Sequence, residues 1–145
     1  MPRGRRLPLV LTGLYAVTLL LVGLWPSHVD KNVDVVGSPP VQWMIRHLDL
    51  SRLQAYSVVE FTANVALFVP VGALTMMWSP KRRWVQAVLL GFAVSGAVEI
   101  LQDVFRPGRT ASWADVLANT LGAALGAAVV AVWRVRRSVV APEAA

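Results

Sequence analysis

Four runs of apolar residues, at about 7–25, 58–78, 84–104 and 113–133, divide the chain. Each approaches or exceeds the roughly 20 residues that a helix needs to cross a hydrocarbon core of about 30 Å. None alternates with period two, and only helices and closed barrels satisfy their backbone in lipid. The pattern therefore predicts an all-α integral membrane protein with four transmembrane helices. The first run follows a basic start and is longer than the usual signal core of about 7–15 residues, so it is expected to be a retained helix.

The longest polar segment runs from Pro26 to about Ser57. Gly37-Ser38-Pro39-Pro40 punctuates it. Val41, Met44, Ile45 and Leu48 then recur at helical spacing. That spacing suits a short interfacial helix in the first outer loop, anchored by Trp43 and Tyr56; an irregular or re-entrant loop suits it equally. Pro70 interrupts the hydrogen bonding of the second span. Pro107-Gly108 turns the chain before the fourth, where Ser112 and Asp115 form a loose capping box. Gly122-x-x-x-Gly126 in that span lets another helix approach closely.

Composition supports a single membrane domain over 1–145. Hydrophobic residues make up 56% of the chain and charged residues 15%, with a mean hydropathy of +0.56. The net charge of +6 raises the possibility of a nucleic-acid partner, but its distribution argues for orientation instead. Nine of the fourteen basic residues (Arg3, Arg5, Arg6, Lys81, Arg82, Arg83, Arg134, Arg136, Arg137) lie on one side of a four-helix topology. The positive-inside rule makes that side cytoplasmic, and with it both termini, including a basic, Ala-rich tail over 134–145. Contact of these clusters with anionic headgroups is a weaker second reading. Five of the six tryptophans fall at expected span ends, as interfacial anchors do. The absence of cysteine removes disulfide, thiolate and Cys-metal chemistry.

The remaining polar residues converge. Glu99, Gln102, Asp103 and Arg106 stand at i, i+3, i+4 and i+7, on one helix face. Glu60 and Asn64 are four residues apart, as are Asp115 and Asn119. In the four-helix topology all lie at one depth, in the outer leaflet. Polar stripes facing lipid are costly, so they should face one another or a wet cavity. An outward-opening polar pocket between the second, third and fourth spans is expected, built from Glu60, Asn64, Glu99, Gln102, Asp103, Arg106, Arg109, Asp115 and Asn119. Carboxylates such as Glu99, Asp115 and Glu60 beside Arg can serve as a general acid and base. Arg106 and Arg109 can hold a phosphate or carboxylate in bidentate fashion. Equally, the acids can pair with the arginines and only lock the helices. Carboxylates and amides could also bind a hard cation such as Mg²⁺ or Ca²⁺, but no His or Cys lies in the cluster, so a metal is the least favoured reading and none is expected; no cofactor is expected either. His28 and His47 read as loop or interface residues. There is no Ser-His-Asp order, phosphate-binding glycine loop or HExxH.

These residues resemble the VanZ-like membrane protein family over about 58–130. The resemblance rests on Glu60-Phe61-x-x-Asn64-x-x-x-Phe68-x-Pro70-x-Gly72, Glu99-x-x-Gln102, Arg109 and Asp115-x-x-x-Asn119-x-x-Gly122-x-x-x-Gly126. Many members carry an H-x-x-x-Y/F pattern ahead of the second span; here the stretch is Arg52-Leu53-Gln54-Ala55-Tyr56, without the histidine. The resemblance implies a bacterial inner-membrane protein and a link to teicoplanin rather than vancomycin tolerance. Three readings follow. One is an envelope factor whose outer pocket binds an amphiphilic or lipid-linked ligand. Another is an intramembrane hydrolase or transferase using Glu99 or Asp115, with Arg109 stabilising an anion. The third is an assembly protein whose polar cluster and Gly122/Gly126 serve packing alone. The oligomeric state stays open.

Overall fold

The computed structural model describes residues 6–23, 34–78, 84–105 and 112–140. Within them lie five helices: α1 (Arg6–Gly23), α2 (Pro39–Leu48), α3 (Arg52–Trp78), α4 (Trp84–Phe105) and α5 (Trp113–Val140). No strand occurs among the described residues. Three helical stretches, Arg52–Trp78, Trp84–Val104 and Trp113–Ser138, are long and apolar enough to cross a membrane. The apolar stretch of α1, Leu9–Val22, is shorter. Its 18-residue helix spans about 27 Å at about 1.5 Å per residue. Trp25 and His28 lie outside the described residues.

The segment after Gly37 forms α2 and then turns. Pro39 and Pro40 open the helix, where missing N–H groups cost nothing, behind Ser38 at the N-cap. The preceding turn is held by the Gly37 N–H donating to Asp34 Oδ1 at 2.8 Å. Asp49 ends α2 in the left-handed region, at φ 51°. The helical spacing of Val41, Met44, Ile45 and Leu48 thus forms a helix, but only Val41 is buried; Leu48 is exposed. Trp43 stacks on His47 on its open side, with ring centroids 4.7 Å apart.

α3 begins six residues before the expected span start at 58. Ser51 and Gln54 form a reciprocal capping box: the Ser51 N–H donates to Gln54 Oε1 at 2.8 Å, and the Gln54 N–H to Ser51 Oγ at 3.2 Å. Two first-turn donors are thereby satisfied. Tyr56 consequently belongs to α3, not to the short helix. At the other end of the chain, α5 runs beyond the expected boundary at 133 to Val140. Residues 134–140 contain neither Gly nor Pro, and Arg137 covers the Trp133 ring at 4.0 Å, so nothing breaks the helix there.

Small residues set how closely the helices pack. Gly122 and Gly126 sit on the backbone of α3: a Cβ would lie 2.1 Å from the Val65 carbonyl oxygen at the first and 1.9 Å from that of Val69 at the second. Ala123, fully buried, fills the point where three helices cross. A Cβ on Gly72 of α3 would strike its carbonyl oxygen at 1.8 Å, and one on Gly91 of α4 its Cβ at 2.3 Å. Numbers rise together along α3 and α5, so these helices are parallel; α4 runs antiparallel to α5. Met76, Ala87, Ala127 and Val130 complete the apolar core at one end. There the Arg134 guanidinium donates to the Met76 carbonyl, satisfying an end-of-helix acceptor of α3. α1 leans on α3. Its Tyr15 hydroxyl donates to the Leu67 carbonyl, next to Ala66, whose usual donor is missing because residue 70 is proline. Trp78 Nε1 donates to Thr12 Oγ1 at 2.8 Å.

Candidate functional site

The opposite end of the three-helix core is polar. The N-terminal halves of α3 and α5 meet the C-terminal half of α4 there. Register along the α4–α5 seam brings the polar groups together. Gly91 opposes Ala123, and one turn further along, Ser95 opposes Asn119. Another turn brings Glu99 to the start of α5. Residues four apart on a helix share a face, so small and polar positions spaced by four on both helices build one continuous seam.

Glu99, Gln102, Asp115 and Asn119 are all buried, between 5% and 8% exposed, and Ser95 is fully buried. Ionisable groups are seldom this buried unless paired. Glu99 Oε2 accepts the Ser112 N–H at 2.9 Å. In a capping box the acid at the third helical position makes that bond. Here a neighbouring helix makes it, and Ser112 Oγ still accepts the Asp115 N–H at 3.3 Å. The Asp115 side chain reaches α3 instead, where its Oδ1 accepts from Asn64 Nδ2 at 2.8 Å. The two carboxylates stand at the N-terminus of a 28-residue helix, where its dipole favours negative charge. One turn deeper, Asn119 Nδ2 donates to Ser95 Oγ at 2.8 Å. Asn119 Oδ1 is buried and has no hydrogen-bond donor among the described residues.

Of the nine expected binding positions, the structure gathers Asn64, Glu99, Gln102, Asp115 and Asn119, with Glu60 half-buried on α3. Asp103 is exposed. It is offset from Gln102 by about 100° around the helix, so the i+4 position falls outside the buried stripe. Arg106 and Arg109 lie outside the described residues. Among the described residues no three metal-ligating side chains converge. Ser95 is the partner that the sequence reading overlooked. Its signal was the spacing Ser95-x-x-x-Glu99, which continues the polar stripe one turn deeper.

Fold and cluster together define a helical membrane protein whose tightly packed three-helix core carries buried acids and amides at one end. Residues 12–134 match the family model described as VanZ/LLP1, and the chain belongs to that family. The match reaches well beyond 58–130 and takes in α1 and α2. No curated protein and no solved structure matches the chain.

Proposed function

We propose that the polar end of the core faces outward in a bacterial cytoplasmic membrane and receives the polar head of an amphiphile whose tail stays in the bilayer. In this topology both termini are cytoplasmic, and α1 is a fourth span. A lipid-tailed glycopeptide such as teicoplanin, or a lipid-linked wall precursor, has the required two-part chemistry. The supporting observation is Asn119 Oδ1, a buried acceptor with no donor among the described residues. A cluster that only locked helices would gain from pairing every buried group, since an unmade buried bond costs about 1–3 kcal/mol. An acceptor of this kind beneath two carboxylates suits a visiting hydroxyl or amine donor.

A locking role is favoured by different bonds, Asn64 to Asp115 and Ser112 to Glu99, which tie three helices. One experiment separates the readings. The native chain, Glu99→Gln and Asp115→Asn are expressed in a glycopeptide-sensitive bacterium. Membrane levels are matched by blot, and teicoplanin is compared with vancomycin. Selective teicoplanin protection by the native chain that vanishes in equally abundant variants is the expected result. Protection that tracks abundance alone would leave only the lock, and a well-expressed native chain without protection would sink the antibiotic role.

A further inference from the structure

A second feature lies at the other end of the core, away from the acids. A cleft of about 280 Å³ opens between α1, α3 and α4. Its walls include Ala16 and Leu19 of α1, Val71 and Leu74 of α3, and Leu90 and Val94 of α4. Three further lining residues carry hydroxyls, and each is already engaged. Thr75 donates to the Val71 carbonyl at 2.7 Å, Tyr15 to that of Leu67, and Thr12 accepts the Trp78 indole N–H at 2.8 Å. Each of these hydroxyls thus already has a protein partner, and the rest of the wall is mainly hydrocarbon. Apolar cavities of this kind stay dry and take apolar guests. In a membrane-spanning bundle the surrounding solvent is itself hydrocarbon chains.

Charge at this end selects among those chains. The cleft reaches Trp78 and Thr12, near the end of α3 and the start of α1. Arg134 of α5 donates to the Met76 carbonyl, two residues before Trp78, and Arg136 and Arg137 follow it on the same helix. Basic groups at a bilayer surface attract anionic lipid by about 1 kcal/mol each. We propose that the cleft seats one acyl chain of an anionic phospholipid, its headgroup held at the basic end of the bundle. This site is independent of the polar cluster, and bound lipid would fasten α1, which otherwise leans on α3 through few polar bonds.

The test is native mass spectrometry of the full chain released from vesicles of phosphatidylglycerol or of phosphatidylcholine. Ala16→Phe and, separately, Val94→Phe fill the cleft from two helices. Leu14→Phe places the same ring on the open face of α1, where Leu14 is 63% exposed. The expected result is about one retained phosphatidylglycerol per native chain. Retention should fall at least fivefold in either filled variant and stay unchanged in Leu14→Phe. Equal retention of phosphatidylcholine overturns the anionic preference. Equal loss in all three variants, or no retained lipid in the native chain, overturns the site. Because the chain has no cysteine, Ala16→Cys adds a direct check: efficient disulfide linkage between two chains would mean that a second copy, not lipid, covers the cleft.

Discussion

The α4–α5 seam changes chemistry halfway along its length. Toward the Ala87 end it consists of Gly91, Ala123 and Ala127, with no polar side chain. Toward the Glu99 end the same close approach is lined by Ser95, Asn119, Glu99 and Asp115. Both halves use small residues or short polar ones to bring backbones together. Only the apolar half is complete in itself: its contacts are dispersion, and nothing in it needs a partner. The polar half has directional requirements, and the Asn119 Oδ1 acceptor has no donor among the described residues. Helix association in lipid lacks a hydrophobic driving force between helices, so packing and interhelical hydrogen bonds carry it. The contrast assigns packing to the glycine-alanine half and leaves the polar half with capacity for something further.

The largest expected effect breaks the apolar end of the core where α5 meets α3. In Gly126→Leu even the Cβ would lie 1.9 Å from the Val69 carbonyl oxygen and 2.9 Å from the Ala73 nitrogen. These are backbone atoms that cannot rotate away. Overpacking a core typically costs about 1–3 kcal/mol, and rigid backbone on one side puts this change at or above the top of that range. Folded protein recovered from membranes by size-exclusion chromatography should fall severalfold. Near-native recovery would mean that α3 and α5 do not need this approach.

A smaller but more informative change treats the polar half as if it were apolar. Removing one member of a buried hydrogen-bonded pair costs about 1–3 kcal/mol, whereas replacing both with apolar groups of similar shape can be nearly neutral. Ser95→Ala alone should therefore destabilise the bundle by about 1 kcal/mol, measured by thermal unfolding in detergent. Ser95→Ala with Asn119→Leu should recover most of that loss. If the native chain protects against teicoplanin and the recovered double variant protects equally, the Asn119 acceptor has no functional role. Loss of protection at restored stability would support a ligand at Asn119. A cycle of Asn64→Ala and Asp115→Ala isolates the α3–α5 bond, with an expected coupling of about 1.5–3 kcal/mol for a hydrogen bond to a carboxylate.

Much of this was readable beforehand because lipid imposes strict rules. Apolar length gave the long helices, and spacing of four grouped Glu60 with Asn64 and Asp115 with Asn119. Sequence spacing could not say which side of a polar stripe is buried. Gln102 and Asp103 are adjacent, yet one faces the core and the other is exposed, a difference set by the crossing of α4 with α5. Nor could it foresee that Glu99 rather than Asp115 would serve the Ser112 N–H. Capping boxes are local patterns, and this one is completed by a residue thirteen positions away. Hydropathy also misplaced both helix ends that lie in polar sequence: α3 starts early through Ser51, and α5 continues through arginines. Hydropathy marks where lipid begins, while caps and breakers mark where helices end.

The start of α3 provides the smallest of these effects and a local test of that distinction. Residues 52–57 extend the helix beyond its apolar run; Ala55 is buried there, but Leu53 is 75% exposed. The capping box adds local support to this partly buried turn. Loss of an N-cap side chain costs about 1 kcal/mol. The change falls in a terminal turn that can fray without opening the bundle held at Ala123 and Gly126. It should act only on local opening, which is governed by the bonds of that turn. Ser51→Ala is therefore expected to raise amide hydrogen exchange across 52–57 about fivefold, the ratio that about 1 kcal/mol implies, while exchange around 64–76 stays constant. An increase that spreads to Asn64 would show that the first turn and the polar cluster open as one unit. The polar half would then be the softer half of the molecule, as well as the less complete one.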